Sequence, residues 1–341
     1  MFTDHFGLSA NPFQLTPDAR YWFDSRTHKK AMAYLGYGLA QGEGFIVVTG
    51  EVGAGKSTLV AHLLGTIDRE RLNAVSLVST QVEGDDMLRL VAQGLGLHTM
   101  GLEKAQLLDL VERQLTEEAR RGRRTLLVVD EAQNLTVSAL EELRMLSNFT
   151  SQGRALVQIF LTGQPEFREK LAEGGPLEQL RQRIIATHHL DPMDANEVEG
   201  YVVHRLSVAG WQGKPGFTAD AWAALYRDTA GIPRRLNQLM TRLLLFAAVE
   251  RLDQVDGAAV ASVVADIEAD KPQARAEAPL PLRRAPSPFL ADPVRDLALE
   301  RRVAALEAQV AEQEKAVRRV LTLLVEWVEN GQQAPGYTNA A

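Results

Sequence analysis

The sequence predicts an α/β protein: a parallel β-sheet layered between helices (αβα), then an all-helical domain, a proline-rich linker and a C-terminal helix of coiled-coil type. Three observations carry this. Apolar runs of strand type alternate with helix-length segments as far as residue 190, the pattern of a parallel sheet with helical crossovers. One strand-to-helix junction is Gly50-Glu51-Val52-Gly53-Ala54-Gly55-Lys56-Ser57, with the spacing G-x-x-x-x-G-K-[ST]. From Asp191-Pro192-Met193 onward the alternation stops, and only helical patterns follow to about residue 268.

Composition sets the outer bounds. The chain has 341 residues, enough for two folded units, and its 45% hydrophobic and 24% charged residues are those of a globular protein. A net charge of −7 gives no general nucleic-acid footprint. With no cysteine, disulfides and thiolate metal sites are excluded, which suits a reducing compartment. Residues 1–6 lack the basic and apolar regions of a signal peptide, and no stretch reaches the ~18 apolar residues of a membrane helix. A cytoplasmic protein is expected.

In chain order, residues 1–40 read as an arm and a helix. The arm, to about residue 24, carries the turn signals Asn11-Pro12-Phe13 and Thr16-Pro17-Asp18, and is expected to lie against the sheet domain. The helix, from about 27 to 41, sets Ala31, Tyr34, Leu35 and Leu39 on one side. Residues 41–190 form the sheet domain. Its first strand runs into the glycine loop, whose backbone N–H groups can turn toward a polyphosphate at the positive end of the next helix. Lys56 then reaches the β- and γ-phosphates, and the Ser57 hydroxyl is placed to hold Mg²⁺. A second strand spans about 74–79, and helices follow at about 85–95 and 103–121.

Residues 125–131 (TLLVVDE) read as a buried strand ending in two carboxylates. That edge of a parallel sheet faces a ligand, so Asp130 is expected to hold Mg²⁺ and Glu131 to activate the attacking water. The competing reading makes them caps of the helix near Thr136. The strand at 156–161 ends in Thr162-Gly163-Gln164-Pro165, where Gln164, or else Thr162, would bond the γ-phosphate or the water; an ordinary turn is the alternative. A short helix at 177–183 carries Arg181 and Arg183, either of which could reach a neighbouring subunit's γ-phosphate or belong to a solvated basic face. His188 and His189, on the strand at 184–190, read as structural.

Residues 191–269 form the helical domain, with helices at about 194–209, 218–229, 232–250 and 256–268. Pro233 suits the first turn of a helix, and beside a phosphate-binding loop Arg234 is a candidate phosphate sensor, a routine surface arginine being the other reading. Residues 270–295 hold six prolines and read as a linker. In 296–330, Val303, Leu306, Val310, Gln313, Val317, Val320, Leu324 and Trp327 follow heptad steps, with Gln313 as a register-setting polar position. A coiled coil or partner-docking helix is expected, against a membrane-surface helix as the other reading. Residues 331–341 are a tail.

Taken together, Phe6-Gly7-Leu8, Asn11-Pro12-Phe13, residues 50–58, Asp130-Glu131-Ala132-Gln133-Asn134-Leu135, Gly163-Gln164-Pro165-Glu166 and Gly231-Ile232-Pro233-Arg234 resemble AAA+ ATPases of the ExeA/GspA and MshM group. Within it the chain looks most like the ATPase of XrtA (exosortase)/PEP-CTERM systems in exopolysaccharide loci. The resemblance covers about residues 1–268. It implies a Mg²⁺-dependent ATPase with a helical lid and ring-forming oligomers. Gly50 to Thr58 and Arg234 would bind ATP, with Asn11, Pro12 and Phe13 near the adenine. Lys56, Glu131, Gln164 (sensor 1), Arg183 (the finger acting in trans) and Arg234 (sensor 2) would serve hydrolysis, and Ser57 and Asp130 the metal. ExeA-like proteins often continue into a transmembrane helix and a peptidoglycan-binding domain, where this sequence reads as linker and heptads. The expected role is therefore envelope secretion or exosortase-linked polysaccharide export, from the cytoplasm or peripherally at the inner membrane. The core also resembles transposition-helper ATPases, which bind DNA; Arg120-Arg121-Gly122-Arg123-Arg124 would serve that alternative, or else simply suit a helix C-terminus.

Overall fold

The computed structural model describes residues 2–78, 82–173 and 175–270. The expected linker, heptad seam and tail lie outside the described residues.

Five strands make one parallel sheet in the order β2-β3-β6-β1-β7: β1 (Phe45–Gly50), β2 (Leu72–Val78), β3 (Arg124–Asp130), β6 (Val157–Gly163) and β7 (Ile184–Leu190). The apolar runs have no polar alternation because the central strands are covered on both faces. Phe45, Val47, Leu127, Val129, Ile159 and Leu161 face one core with α4 (Gly84–Gly94), α5 (Lys104–Arg120), α6 (Val137–Leu146) and α7 (Pro165–Ala172). Ile46, Val48, Leu126, Val128 and Phe160 face the other, beneath α2 (Arg26–Gln41) and α3 (Lys56–Thr66). The register pairs Val48 with Thr162, Thr49 with Gly163, and Val129 with Leu161. The C-terminal ends of β1, β3 and β6 therefore share one edge, which is what assembles the site.

Helix α2 begins on a Ser25 cap and ends at Gly42 in the left-handed region. It lies close on the sheet: a methyl on Gly38 would come within 2.6 Å of Ile46. Ala31 and Leu35 are buried as expected, but Tyr34 is not; it lies 48% exposed, stacked on His188 beside the edge strand β7. Two small features escaped the sequence reading, the β4–β5 hairpin (Thr150–Ser151, Arg154–Ala155) and the parallel pair β8 (Gly216–Phe217) with β9 (Gln254–Val255). Each is only two residues per strand, too short for a periodicity. The short helix α8 spans Glu178–Arg181.

Beyond β7 come α9 (Ala195–Val208), α10 (Ala219–Thr229), α11 (Pro233–Val249) and α12 (Gly257–Ala269), packed on their own apolar core of leucines, valines and alanines. The arm's first part packs here and not on the sheet, a correction to the expectation above. Phe2 in α1 (Phe2–His5), Leu8 and Phe13 are buried in the helical core, and Ser9 bonds the Ala209 carbonyl through both N–H and hydroxyl. The physical reason is that these apolar residues find an unfilled apolar face on α9 and α11, whereas both faces of the sheet already carry helices. Gly231, at φ +68°, makes the turn into α11; its carbonyl accepts from the Met193 N–H at 3.0 Å, just past the end of the sheet.

Candidate functional site

The loop between β1 and α3 takes its shape from two glycines at φ values an L-residue avoids, Gly53 at +88° and Gly55 at +103°. A methyl at Gly53 would sit 2.4 Å from the Cβ of Arg234, and one at Gly55 2.7 Å from His28 Nε2. Glycine is required at both for close approach as well as for conformation. Lys56 is buried, and its ammonium donates to the carbonyls of Gly50 at 2.7 Å and Glu51 at 3.1 Å. Burial pushes its pKa down, opposed by the nearby carboxylates of Glu131, Asp130, Glu51 and Glu166.

The end of β3 brings two carboxylates beside this loop. Asp130 accepts from the Ser57 hydroxyl at 3.0 Å, from the Thr162 hydroxyl, and from the N–H of Glu131 at 2.9 Å. Glu131 lies past the strand, at φ +56°, a strained position for a residue with a Cβ. Its carboxylate is held by the side-chain amides of Gln133 and, at 3.2 Å, Gln164, while Gln133 Oε1 accepts from the Gln164 N–H at 3.0 Å. Neither carboxylate caps α6; Thr136 does that, accepting from the Ala139 N–H. Both candidates at the tip of β6 thus reach the carboxylates, Thr162 through Asp130 and Gln164 through Glu131. Gln133 joins Gln164 to Glu131, and these contacts of its side chain depend on the fold of the backbone, which the motif alone does not reveal.

A cleft of about 280 Å³ opens beside the loop. Gly53, Gly55 to Thr58, Glu131 and Arg234 line one part, and Arg234 donates its backbone N–H to the Gly53 carbonyl at 3.2 Å. Another part is lined by Leu15, Pro17, Tyr21, Trp22 and Phe23 of the arm with Tyr201 of α9. Asn11, Pro12 and Phe13, expected near an adenine, do not line it. Phe13 is buried in the helical core, the Asn11 side chain accepts from the Phe13 N–H, and the Pro12 carbonyl accepts from Arg205. The arm enters the cleft from Leu15 onward, with its aromatic run at 21–23 as the main wall. His28 also borders the cleft; burial lowers its pKa to about 4 against a bond with the Gly55 backbone, and its Nδ1 lies 2.7 Å from the Ser25 hydroxyl.

Arg181 and Arg183 are both exposed and line no part of the cleft of their own chain. Arg181 pairs with Glu178 at 2.8 Å, and the Arg183 guanidinium donates to the Ser147 hydroxyl at 3.5 Å. His189 bonds the Thr49 hydroxyl at 2.9 Å.

The oxygens of Ser57 and Asp130, adjacent at the mouth of the loop, are the hard donors that Mg²⁺ takes, one or two from protein with the rest from phosphate and water. Lys56 and Arg234, which line the cleft where helix α3 begins, fit a polyphosphate. The residues present therefore fit Mg²⁺ and a nucleoside triphosphate.

Residues 39–171 match the family model described as AAA domain. General secretion pathway protein A of Aeromonas hydrophila is 38% identical over 247 residues, 72% of this chain; the chain spans 45% of that relative's length. Among solved structures, CDC6P from Pyrobaculum aerophilum aligns with a TM-score of 0.59 at 14% identity, covering 75% of this chain and 70% of the other. The Aeropyrum pernix ORC2 protein, in its ADPNP–ADP complexes, aligns at 0.56 and 14%, covering 76% and 72%. At such identities the likeness shows fold alone. The chain thus has the P-loop AAA fold, with the AAA domain match over residues 39–171.

Proposed function

We propose that the chain binds ATP with Mg²⁺ in this cleft and hydrolyses it. The observation that carries the reading is the convergence at one sheet edge of the glycine loop, the Ser57–Asp130 pair and the Glu131–Gln164 pair, with Arg234 seated on Gly53. On binding, Lys56 exchanges the Gly50 and Glu51 carbonyls for phosphate oxygens; Ser57 and Asp130 would hold Mg²⁺, which would supply charge neutralisation at the phosphates. Glu131 takes a proton from water as the water oxygen bonds the γ-phosphorus and the bond to the β–γ bridging oxygen breaks, leaving ADP and phosphate. Gln164 orients Glu131, and Arg234 meets the γ-phosphate. The aromatic part of the cleft receives the base. Arg183, free of the cleft in its own chain, serves a neighbour's site in a ring.

The work driven is envelope secretion or exosortase-linked polysaccharide export, supported by the secretion-pathway relative. Among the described residues no helix is long and apolar enough to cross a membrane, in keeping with a peripheral role. A DNA-binding regulator is the weaker reading. Arg120, Arg121 and Arg123 pair with Glu117 or Glu118, and Arg124 bonds the Leu39 carbonyl, so the basic cluster is engaged within its own chain. Glu131→Gln tests the hydrolytic role: ATP binding is kept while turnover falls at least about a hundredfold, a general base being worth 10²–10⁴ in rate. Undiminished turnover would remove Glu131 from that role.

A further inference from the structure

Arg205 of α9 is 7% exposed and borders the cleft, yet among the described residues its guanidinium is held by two carbonyls and a hydroxyl and pairs with no carboxylate. Nε donates to the Pro12 carbonyl at 2.6 Å, Nη2 to the Gln14 carbonyl at 3.4 Å, and Nη1 to the Tyr201 hydroxyl at 3.0 Å. Its Cζ lies 4.7 Å from the centre of the Tyr21 ring. A buried cation held by neutral groups is costly, and an apolar side chain would fill the same space more favourably. What it supplies is a rigid planar fork that grips two carbonyls of one arm segment while its face packs on an aromatic ring further along the same arm.

The bonds continue. The Tyr201 hydroxyl donates to Asn237 Oδ1 at 2.8 Å, and Asn237 stands three residues after Arg234 on α11. Arg234 in turn bonds Gly53. The arm, α9, α11 and the glycine loop are therefore joined in sequence, from the aromatic wall to the phosphate end.

We propose that Arg205 is a positioning residue that clasps the arm at residues 12–14, so that the aromatic wall at 21–23 is held against the base of a bound nucleotide and moves together with Arg234. This rests on the nucleotide reading above. A role in base selection separates it from general support of the helical core, because only the first alters one nucleotide relative to another.

The test is titration calorimetry of the full chain with Mg-ATP and Mg-UTP, for wild type, Arg205→Met and Arg205→Lys, with thermal melts alongside. The purine stacks over a larger area, so wild type should prefer ATP. In Arg205→Met that preference should fall at least about fivefold, with Arg205→Lys, which keeps the charge but not the fork, falling between. If Arg205→Met gives no cooperative melt, Arg205→Lys decides alone. A wild type without preference, or variants that weaken both nucleotides in step or neither, would overturn the proposal and leave ATP binding standing. A wild type that binds neither nucleotide would overturn the nucleotide reading itself, and this inference with it.

Discussion

Gly231 offers the sharpest stability prediction. Its φ of +68° would cost a residue with a Cβ about 1–2 kcal/mol. Space adds a second penalty: a methyl there would stand 2.1 Å from the Met193 carbonyl oxygen, where separations under 3.0 Å essentially never occur. The neighbour is backbone and cannot swing aside. It must retreat by about 1 Å, enough to break the Met193–Gly231 hydrogen bond, worth about 1 kcal/mol. With residual strain the total for Gly231→Ala is about 3–4 kcal/mol, in the range of a named steric defect. Gly153 supplies the control, with φ of +75° and nothing within 4 Å of an added methyl, so Gly153→Ala should lose only the conformational part, about 1–2 kcal/mol. Urea unfolding followed by circular dichroism should separate the two by about 2 kcal/mol, and thermal melts by about 4–8 °C. Equal midpoints would refute the close contact between the α11 turn and the end of the sheet.

Three other outcomes are expected. His28 is held neutral with a pKa near 4, below its unfolded value, so the unfolded chain takes up the extra proton first and stability falls as pH drops from about 6.5 toward 4. Between pH 7 and 4.5 this amounts to about 2–3 kcal/mol, and urea melts of His28→Asn should lack that part of the slope. Phe13→Ala should destabilise by about 3–5 kcal/mol, because Phe13 is buried in the helical core; a loss below 1 kcal/mol would show that the arm is not docked there. Arg183→Ala and Lys56→Ala should each be inactive as ATPases, with activity returning on mixing; a mixture as inactive as its parts would place Arg183 outside any neighbour's site.

The strands and helices were legible because their signals are local. Continuous apolar runs marked β1, β3 and β6, and the glycine spacing fixed the loop and the register of Lys56 and Ser57. Asp130, Glu131 and Gln164 could be placed because strand ends in a parallel sheet share an edge. What stayed hidden depends on which surface a segment meets. Nothing in Asn11-Pro12-Phe13 says that Phe13 packs on α9 and α11, or that Pro12 matters through its carbonyl. Arg205 reads as one more helical arginine until the arm is laid across it. Glu131 looked like the last residue of a strand, and only the backbone reveals its left-handed turn. The pairing of Arg120–Arg123 with Glu117 and Glu118 likewise joins a helix end to the loop that follows it.

Trp22 has a further use. Its indole borders the cleft, stacks on His62 at 4.0 Å and meets His28 edge-on at 4.9 Å. Of the chain's other tryptophans, Trp211 and Trp222 pack against the helical core. A molecule entering the cleft would therefore change the polarity and the quenching partners around one indole while leaving those two in their apolar setting. The molecule carries an intrinsic optical gauge, which Trp22→Phe would silence, and the filling and emptying of the cleft become readable from unlabelled protein in a stopped-flow trace.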